Sequence, residues 1–169
     1  EMLDGLDHFW QARQWSELSK LAAEEREQVL PAILAWADGG ARLSGVEVVQ
    51  GFQQTMAMRR ATESVFETVD AVISPTTPNI AFPAEWASPT NDPRQPFEHI
   101  AYTVPWNMGE QPAISLNAGL SKRNMPIGVQ LIGPRFADHF VLKLARQLEA
   151  RLGLPMCLPM PVCDKSVLE

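Results

Sequence analysis

The sequence predicts an α/β fold in which helices flank a sheet. Three short apolar segments, at 71–74, 113–118 and 127–132, have the composition of strands and are bounded by Pro and Gly residues. Amphipathic patterns with helical spacing lie before the first segment and after the last. A Pro-rich connection over 79–111 separates the first strand from the other two, and loops of that length within a domain are often functional.

Three helical segments are predicted before the first strand. The first covers 1–22, and the second covers 24–37 with a kink or boundary at Pro31, because an interior proline costs a helix roughly 3 kcal/mol. The segment Ser44-Gly45-Val46-Glu47 is a capping box, which predicts the start of the longest helix, over about 45–69. That helix carries an apolar stripe of Phe52, Met56, Ala57, Ala61, Val65 and Val69.

The strands that follow differ in their patterns. Residues 70–74 form an apolar run without alternation, which predicts a strand covered on both faces. A helical turn is predicted over 96–102. The connection between strands 113–118 and 127–132 is short and polar, so we expect an antiparallel hairpin.

One more helix is predicted, over about 139–152. Asp138 is expected to cap its start and Gly153 to end it. Its predicted buried stripe consists of Val141, Leu144, Ala145, Leu148 and Leu152. The Pro- and Met-rich tail over 154–169 is expected to lie on the surface.

Charge and composition exclude several classes of partner. The chain has a net charge of −6, and its basic residues form no cluster larger than the pairs Arg59-Arg60 and Lys122-Arg123, so we expect no nucleic-acid partner. No apolar run reaches the length of a membrane span, so we expect no membrane partner.

Cysteine use favours a reducing compartment. Cys157 and Cys163 fit neither a zinc motif nor a C-x-x-C redox pair, and two reduced thiols in a cytoplasmic protein are expected, with a disulfide as the lesser alternative. The opening Glu1-Met2-Leu3-Asp4 lacks the pattern of a signal peptide.

Metal and cofactor motifs are missing from the sequence. His8, His99 and His139 have no ligand partner at helical spacing, so no metal site is predicted. Walker and G-x-G-x-x-G loops are both absent, and no cofactor is expected. A Ser-His-Asp triad stays open because triads assemble in three dimensions, although no G-x-S-x-G elbow occurs.

A mixture of small polar and flat apolar residues surrounds the Pro-rich connection. Hydrogen-bonding side chains are predicted at strand ends, and aromatic side chains lie close to them in the sequence. Small-molecule pockets have this composition. Composition alone favours the simpler alternative, in which these residues pack the connection onto the sheet. The polar residues are Thr76, Thr77, Thr103 and Asn107, and the aromatic ones are Trp86, Tyr102 and Trp106.

These same residues carry a resemblance to a known family. The ordered runs Asp70–Pro78, Thr103–Asn107, Gly109–Ser115 and Pro126–Gly133 resemble the C-terminal third of the amidase signature family, and the resemblance extends over roughly 30–152. It implies an α/β/α architecture around one large mixed sheet. It also implies amide hydrolysis by a Ser nucleophile, a bridging Ser in a cis peptide and a Lys base.

The resemblance places those catalytic groups outside this chain. The sequence has no Gly-Ser-Ser-Gly segment, and none of its four lysines matches the family lysine. Residues 1–153 are therefore expected to be the C-terminal portion of a single amidase domain, inactive alone, that contributes part of a pocket wall for a small amide substrate. The residues expected in that wall are Thr76, Thr77, Ile100, Tyr102, Trp106 and Asn107.

One position departs from the amidotransferase branch of the family. That branch usually has an Asp three residues before the Thr that matches Thr103, where it is associated with the ammonium of glutamine; this chain has Ile100. Because an unpaired ammonium beside Ile is costly, we expect a neutral or apolar amide substrate. Two alternatives remain open: a non-catalytic remnant of the fold and an A-type amidotransferase component, against which Ile100 counts. Exposed strand edges would also favour a homodimer.

Overall fold

Helices make up the chain as far as Val65, and the strands of the sheet lie between Val72 and Ile132. The structure is a computed structural model and describes residues 4–153. Because Pro31 begins a helix, the predicted boundary is confirmed; a proline is tolerated there since the first helical N–H needs no partner. The helices before the first strand are α1 (Asp4–Leu18), α2 (Ala23–Arg26), α3 (Pro31–Ala37) and α4 (Gly45–Val65), with a 3₁₀ helix at Asp38–Arg42.

The capping box at the start of α4 is confirmed. The Glu47 amide donates to Ser44 Oγ at 3.2 Å, and the Ser44 amide donates to Glu47 Oε2 at 2.8 Å. These hydrogen bonds hold the pKa of the exposed Glu47 carboxyl below its ordinary value. The helix ends at Val65, four residues before the predicted end.

Close packing of α1 on α4 depends on glycine. A Cβ atom on Gly51 would lie 2.1 Å from the carbonyl oxygen of Gly5, so only a residue without a side chain fits there. The buried face of α4 accordingly runs through Gly51, Met58 and Thr62. Phe52 and Met56 of the predicted stripe are instead 46% and 39% exposed.

Within residues 4–153 the sheet has three strands in the order β1-β3-β2, and both pairings are antiparallel. The predicted hairpin is therefore confirmed. The strands are β1 (Val72–Pro75), β2 (Ala113–Leu120) and β3 (Pro126–Ile132). Together with the flanking helices, this sheet confirms the α/β fold class.

The register gives the sheet one apolar and one polar face. Ile73, Leu131 and Ile114 lie in one row across the three strands, whereas Ser74, Gln130 and Ser115 lie in the next row. Side chains in successive rows point to opposite faces. The apolar face packs against α6 (Asp138–Leu152), and the core there consists of Leu116, Leu131, Val141 and Ala145, with Ile114, Val129, Leu144 and Leu148 around it.

Both ends of α6 were predicted to within one residue. Ala137, not Asp138, occupies the N-cap position, and Asp138 is the first helical residue. Gly153 ends the helix with φ of +60°, a conformation that glycine adopts without strain. The predicted tail and its two cysteines lie outside the described residues.

Two predictions about local structure were wrong. Strand β1 is not covered on both faces, because α6 packs over β2 and β3 and leaves Ile73 60% exposed. Thr103 and Asn107 do not lie at strand ends: Thr103 immediately precedes the short helix α5 (Val104–Gly109), and Asn107 lies within it.

The predicted turn over 96–102 is present as a 3₁₀ helix at Glu98–Ile100. None of the helices in residues 4–153 is long and apolar enough to cross a membrane.

Candidate functional site

The polar face of the sheet is organised around Gln130, which is 3% exposed. Its side-chain nitrogen lies 2.7 Å from the carbonyl oxygen of Tyr102, 2.9 Å from Ser74 Oγ and 3.2 Å from the carbonyl oxygen of Pro75. The two backbone oxygens belong to the end of β1 and to the segment just before α5. Gln130 therefore holds that segment onto the sheet.

A hydroxyl pair lies beside Gln130 on the same face. Thr76 Oγ1 and Ser115 Oγ are 2.7 Å apart, and the Thr76 amide donates to the carbonyl oxygen of Gly128 at 3.0 Å. A Cβ atom on Gly128 would lie 2.8 Å from Thr76 Oγ1 and 3.2 Å from Ser115 Oγ. Gly128 thus makes room for two hydroxyls that bridge β1 and β2 across the central strand.

Thr77 has a local role in the turn after β1. Its hydroxyl donates to the carbonyl oxygen of Asn79 at 2.8 Å. The residue also lines a small pocket with Pro78, Ile80 and Ile127. The hydroxyl is therefore already engaged in holding the turn.

Ile100 lies at the boundary between the core and a cavity. Its side chain packs against the buried cluster of Leu6, Met58 and Val104. It also lines a cavity between α3 and the connection 87–100. Asp92 lines the same cavity, so its wall carries one acidic side chain in addition to the apolar ones.

The other aromatic candidates lie around α5. Tyr102 is 41% exposed, although its carbonyl oxygen is bound by Gln130. The Trp106 ring contacts Phe66 edge to face, with 6.2 Å between the ring centroids. Asn107 is exposed on α5. Gln130 thus brings the end of β1 beside Tyr102, whereas Trp106 and Asn107 lie farther along the chain on α5. Substrate contact by the six residues predicted for the pocket wall stays a prediction.

A charged cluster anchors the end of α5. Glu110, which has φ of +61°, pairs with Arg59 of α4 and with Arg135 after β3. Arg135 also binds Glu63 of α4 at 3.0 Å. The cluster links α4, α5 and the sheet, so it is placed to fix the position of α5.

Sequence reasoning missed Gln130 and Ser115 as organising residues. A signal was present, since Gln130 is the single polar side chain in the otherwise apolar strand 126–132. A buried polar residue in such a strand requires partners from other segments. Among residues 4–153, no group of three or more His, Cys, Asp or Glu side chains is placed to hold a metal ion.

The family follows from a comparison with known sequences. The family model described as Amidase matches residues 8–142, which is most of the chain. The chain belongs to the amidase family. This match confirms the resemblance carried by the four sequence runs between Asp70 and Gly133, and it also covers most of α1, where the sequence motifs gave no indication.

Several curated proteins are similar in sequence to this chain. The chain is 39% identical over 92 residues to the glutamyl-tRNA(Gln) amidotransferase A subunit of Halothermothrix orenii, across 54% of this chain and 19% of that protein. It thus spans about a fifth of the length of the curated relatives it matches.

Two solved structures contain the fold of this chain. A bacterial aryl acylamidase of the amidase signature family superposes with a TM-score of 0.71 at 20% identity, over 88% of this chain and 33% of that one. The 6-aminohexanoate cyclic dimer hydrolase gives 0.69 at 22% identity, over 89% and 35%. At this identity the likeness concerns the fold alone.

Proposed function

We propose that the complete protein, meaning this chain together with a catalytic part expected before it, hydrolyses the C–N bond of small amides in the cytoplasm. In this proposal residues 1–153 form the C-terminal portion of the amidase domain and supply part of the pocket wall. Membership of the amidase family supports the reaction class. The packing of Ile100 carries the proposal for the substrate.

The chemistry is expected to follow the Ser-Ser-Lys scheme of the family. An uncharged Lys accepts a proton through the bridging Ser, and the nucleophilic Ser attacks the amide carbonyl. Backbone amides stabilise the oxyanion, the amine leaves, and water hydrolyses the acyl-enzyme. The role proposed for the present chain is to position the wall, with Gln130 fixing the segment that carries Ile100 and Tyr102.

The substrate is proposed to be a neutral or apolar amide. An ammonium group beside Ile100 would lie against apolar side chains. Asp92 also lines the cavity that Ile100 borders, but its carboxylate is already bound by Arg94, with Nη2 and Oδ2 at 2.8 Å. A charged amino acid such as glutamine is therefore the poorer fit.

Ammonia release from the complete protein tests this proposal. We expect turnover of hexanamide and benzamide and little turnover of glutamine. The 169-residue chain alone is the matched negative control and is expected to be inactive. Efficient glutaminase activity would overturn the substrate assignment, and turnover by the chain alone would require a different nucleophile.

A second candidate function is that of the A-type component of an amidotransferase. The names of several curated relatives favour it, since proteins at 34–40% identity are called A subunits of glutamyl-tRNA(Gln) amidotransferase. Ile100 is the residue that counts against it. The same assay discriminates, because this candidate predicts that glutamine is the preferred ammonia donor. A complete protein that releases no ammonia from any amide would favour the non-catalytic remnant.

We also propose that the chain alone self-associates as a homodimer or a larger species. Ile73 on edge strand β1 is 60% exposed, and Val46 and Val49 on α4 are 66% and 56% exposed. Exposed strand edges and apolar faces favour association. Light scattering is expected to give at least twice the mass of the chain, and a clean monomer would contradict the proposal.

A further inference from the structure

Helix α5 is too short to hold its own position. It has six residues, and isolated helices shorter than about 12–15 residues are marginal in water, so contacts with the rest of the chain must place it. At its start, Gln130 binds the Tyr102 carbonyl oxygen at 2.7 Å, and Val104 is 2% exposed. At its end the chain lies close against α4, because a Cβ atom on Gly109 would lie 2.2 Å from Thr62 Oγ1. Both ends of α5 are therefore fastened to other elements.

Glu110, directly after α5, has a backbone conformation that favours glycine. Its φ of +61° lies in the left-handed region, which is strained for a residue with a side chain. Its carboxylate pairs with Arg59 of α4 through Oε1 and with Arg135, which follows β3, through Oε2. The two arginine side chains are only 26% and 25% exposed, so salt screens these ion pairs less than surface pairs. The side chain of Glu110 thus supplies contacts that glycine could not.

The backbone connects this anchor to side chains predicted for the pocket wall. The Glu110 amide donates to the carbonyl oxygen of Asn107 at 3.3 Å, and the Gln111 amide donates to that of Trp106 at 3.1 Å. The Trp106 ring also contacts Phe66, the C-cap residue of α4, with 6.2 Å between the ring centroids. A shift of Glu110 would therefore move Trp106 and Asn107 together.

We propose that Glu110 is a positioning residue that determines which acyl groups the complete protein accepts. By bridging Arg59 and Arg135 it fixes Trp106 and Asn107, which then form a rigid part of the wall against the acyl group of the amide. The inference rests on the proposed amide hydrolysis, because it assigns a role in that pocket. Without the carboxylate the wall yields, so a bulky acyl group binds less tightly while the chemical step is unchanged.

Steady-state kinetics of the complete protein test the effect on the substrate. Glu110→Gln should raise KM for benzamide by about tenfold, near the lower limit for losing the contacts of one methylene group, and should leave kcat within about twofold. KM for acetamide should not change, because its acyl group is too small to need the wall. Loss of folded protein would instead lower the apparent kcat for both amides and leave both KM values unchanged. Glu149→Gln, exposed on α6, is the matched control.

Further variants separate the carboxylate from the backbone turn. Glu110→Gly removes the strain of the left-handed conformation, so it would behave like the original protein if the turn alone positioned α5. We expect it to raise KM for benzamide as Glu110→Gln does. Arg59→Gln should also raise this KM. The double variant Arg59→Gln/Glu110→Gln should match Glu110→Gln, because the ion pair that Arg59 makes is already lost.

NMR of the 169-residue chain tests the positioning without turnover. The indole N–H resonance of Trp106 should shift in Glu110→Gln and in Glu110→Gly, whereas those of Trp10 and Trp36 should not. An unchanged Trp106 resonance overturns the inference, and so does an unchanged KM in a complete protein that hydrolyses benzamide. A complete protein that hydrolyses no amide would refute the proposed function as well, whereas hydrolysis with an unchanged KM would overturn this inference alone.

Discussion

Replacing Gln130 by Leu should destabilise the chain more than any surface change of the same type. The variant removes the donor that lies within 3.2 Å of Ser74 Oγ and of the Pro75 and Tyr102 carbonyl oxygens. A net hydrogen bond contributes about 0.5–1.5 kcal/mol, and a buried polar group left unpaired costs about 1–3 kcal/mol. The added apolar side chain offsets part of this loss. We therefore expect the free energy of unfolding to fall by about 2–4 kcal/mol.

Urea denaturation of the 169-residue chain, followed by circular dichroism, measures this loss. Gln53→Leu is the matched control, because Gln53 is exposed on α4, and it should change the free energy of unfolding by less than about 0.5 kcal/mol. The reasoning is refuted if Gln130→Leu and Gln53→Leu unfold at the same urea concentration.

Gln130→Glu sharpens the test through its pH dependence. An ionised carboxylate would face the carbonyl oxygens of Pro75 and Tyr102, so the folded state should favour the protonated acid and raise its pKa above the unfolded value. A raised folded pKa means that the stability is fully present below the unfolded pKa and is lost as pH rises through the folded pKa. Relative to the original chain, Gln130→Glu should therefore be least destabilised at acidic pH. A destabilisation independent of pH would contradict this.

Two further predictions concern α4. Gly51→Ala should lower the free energy of unfolding by about 1–3 kcal/mol, because its Cβ would lie 2.1 Å from the Gly5 carbonyl oxygen. In the control Gly45→Ala the new Cβ meets nothing within 4 Å, so this variant should be neutral or slightly stabilised in thermal melts. Equal losses of stability in Gly51→Ala and Gly45→Ala would contradict the close approach of Gly51 to the Gly5 carbonyl oxygen. Ser44→Ala should cost about 0.5–2 kcal/mol at neutral pH. The pKa of the Glu47 carboxyl is lower in the folded state, so the stabilisation by this carboxylate is present above the unfolded pKa and is lost as pH falls through the folded pKa. The loss of stability caused by Ser44→Ala should therefore shrink in acid. Urea titrations that give the same loss at every pH would refute this prediction.

Local patterns were sufficient to predict most of the elements. The capping box predicted the start of α4, and Pro31 predicted the boundary between α2 and α3, because both depend on residues close in sequence. The hairpin followed from its short polar connection, and α6 followed from its apolar stripe, in which Val141 and Ala145 are buried.

Features that depend on distant contacts were not predictable in the same way. Helix α5 has six residues, which is too short for a periodic pattern, and its end is fixed by charges from α4 and from the segment after β3. The buried face of α4 is set by the fit between Gly51 and Gly5, so the apolar side chains of Phe52 and Met56 were misleading. The role of Gln130 depends on oxygens 28 and 55 residues away along the chain.

The substrate preference of the complete protein tests the central claim most directly. We would compare kcat/KM for hexanamide and glutamine in the original protein and in Ile100→Asp, with Ile100→Val as the control that keeps the wall apolar. We expect the original protein and Ile100→Val to prefer hexanamide, and Ile100→Asp to shift the ratio toward glutamine by at least about tenfold, which corresponds to about 1.4 kcal/mol. A preference for glutamine in the original protein, or a ratio that is the same in all three, would contradict the assignment of Ile100 to the substrate wall.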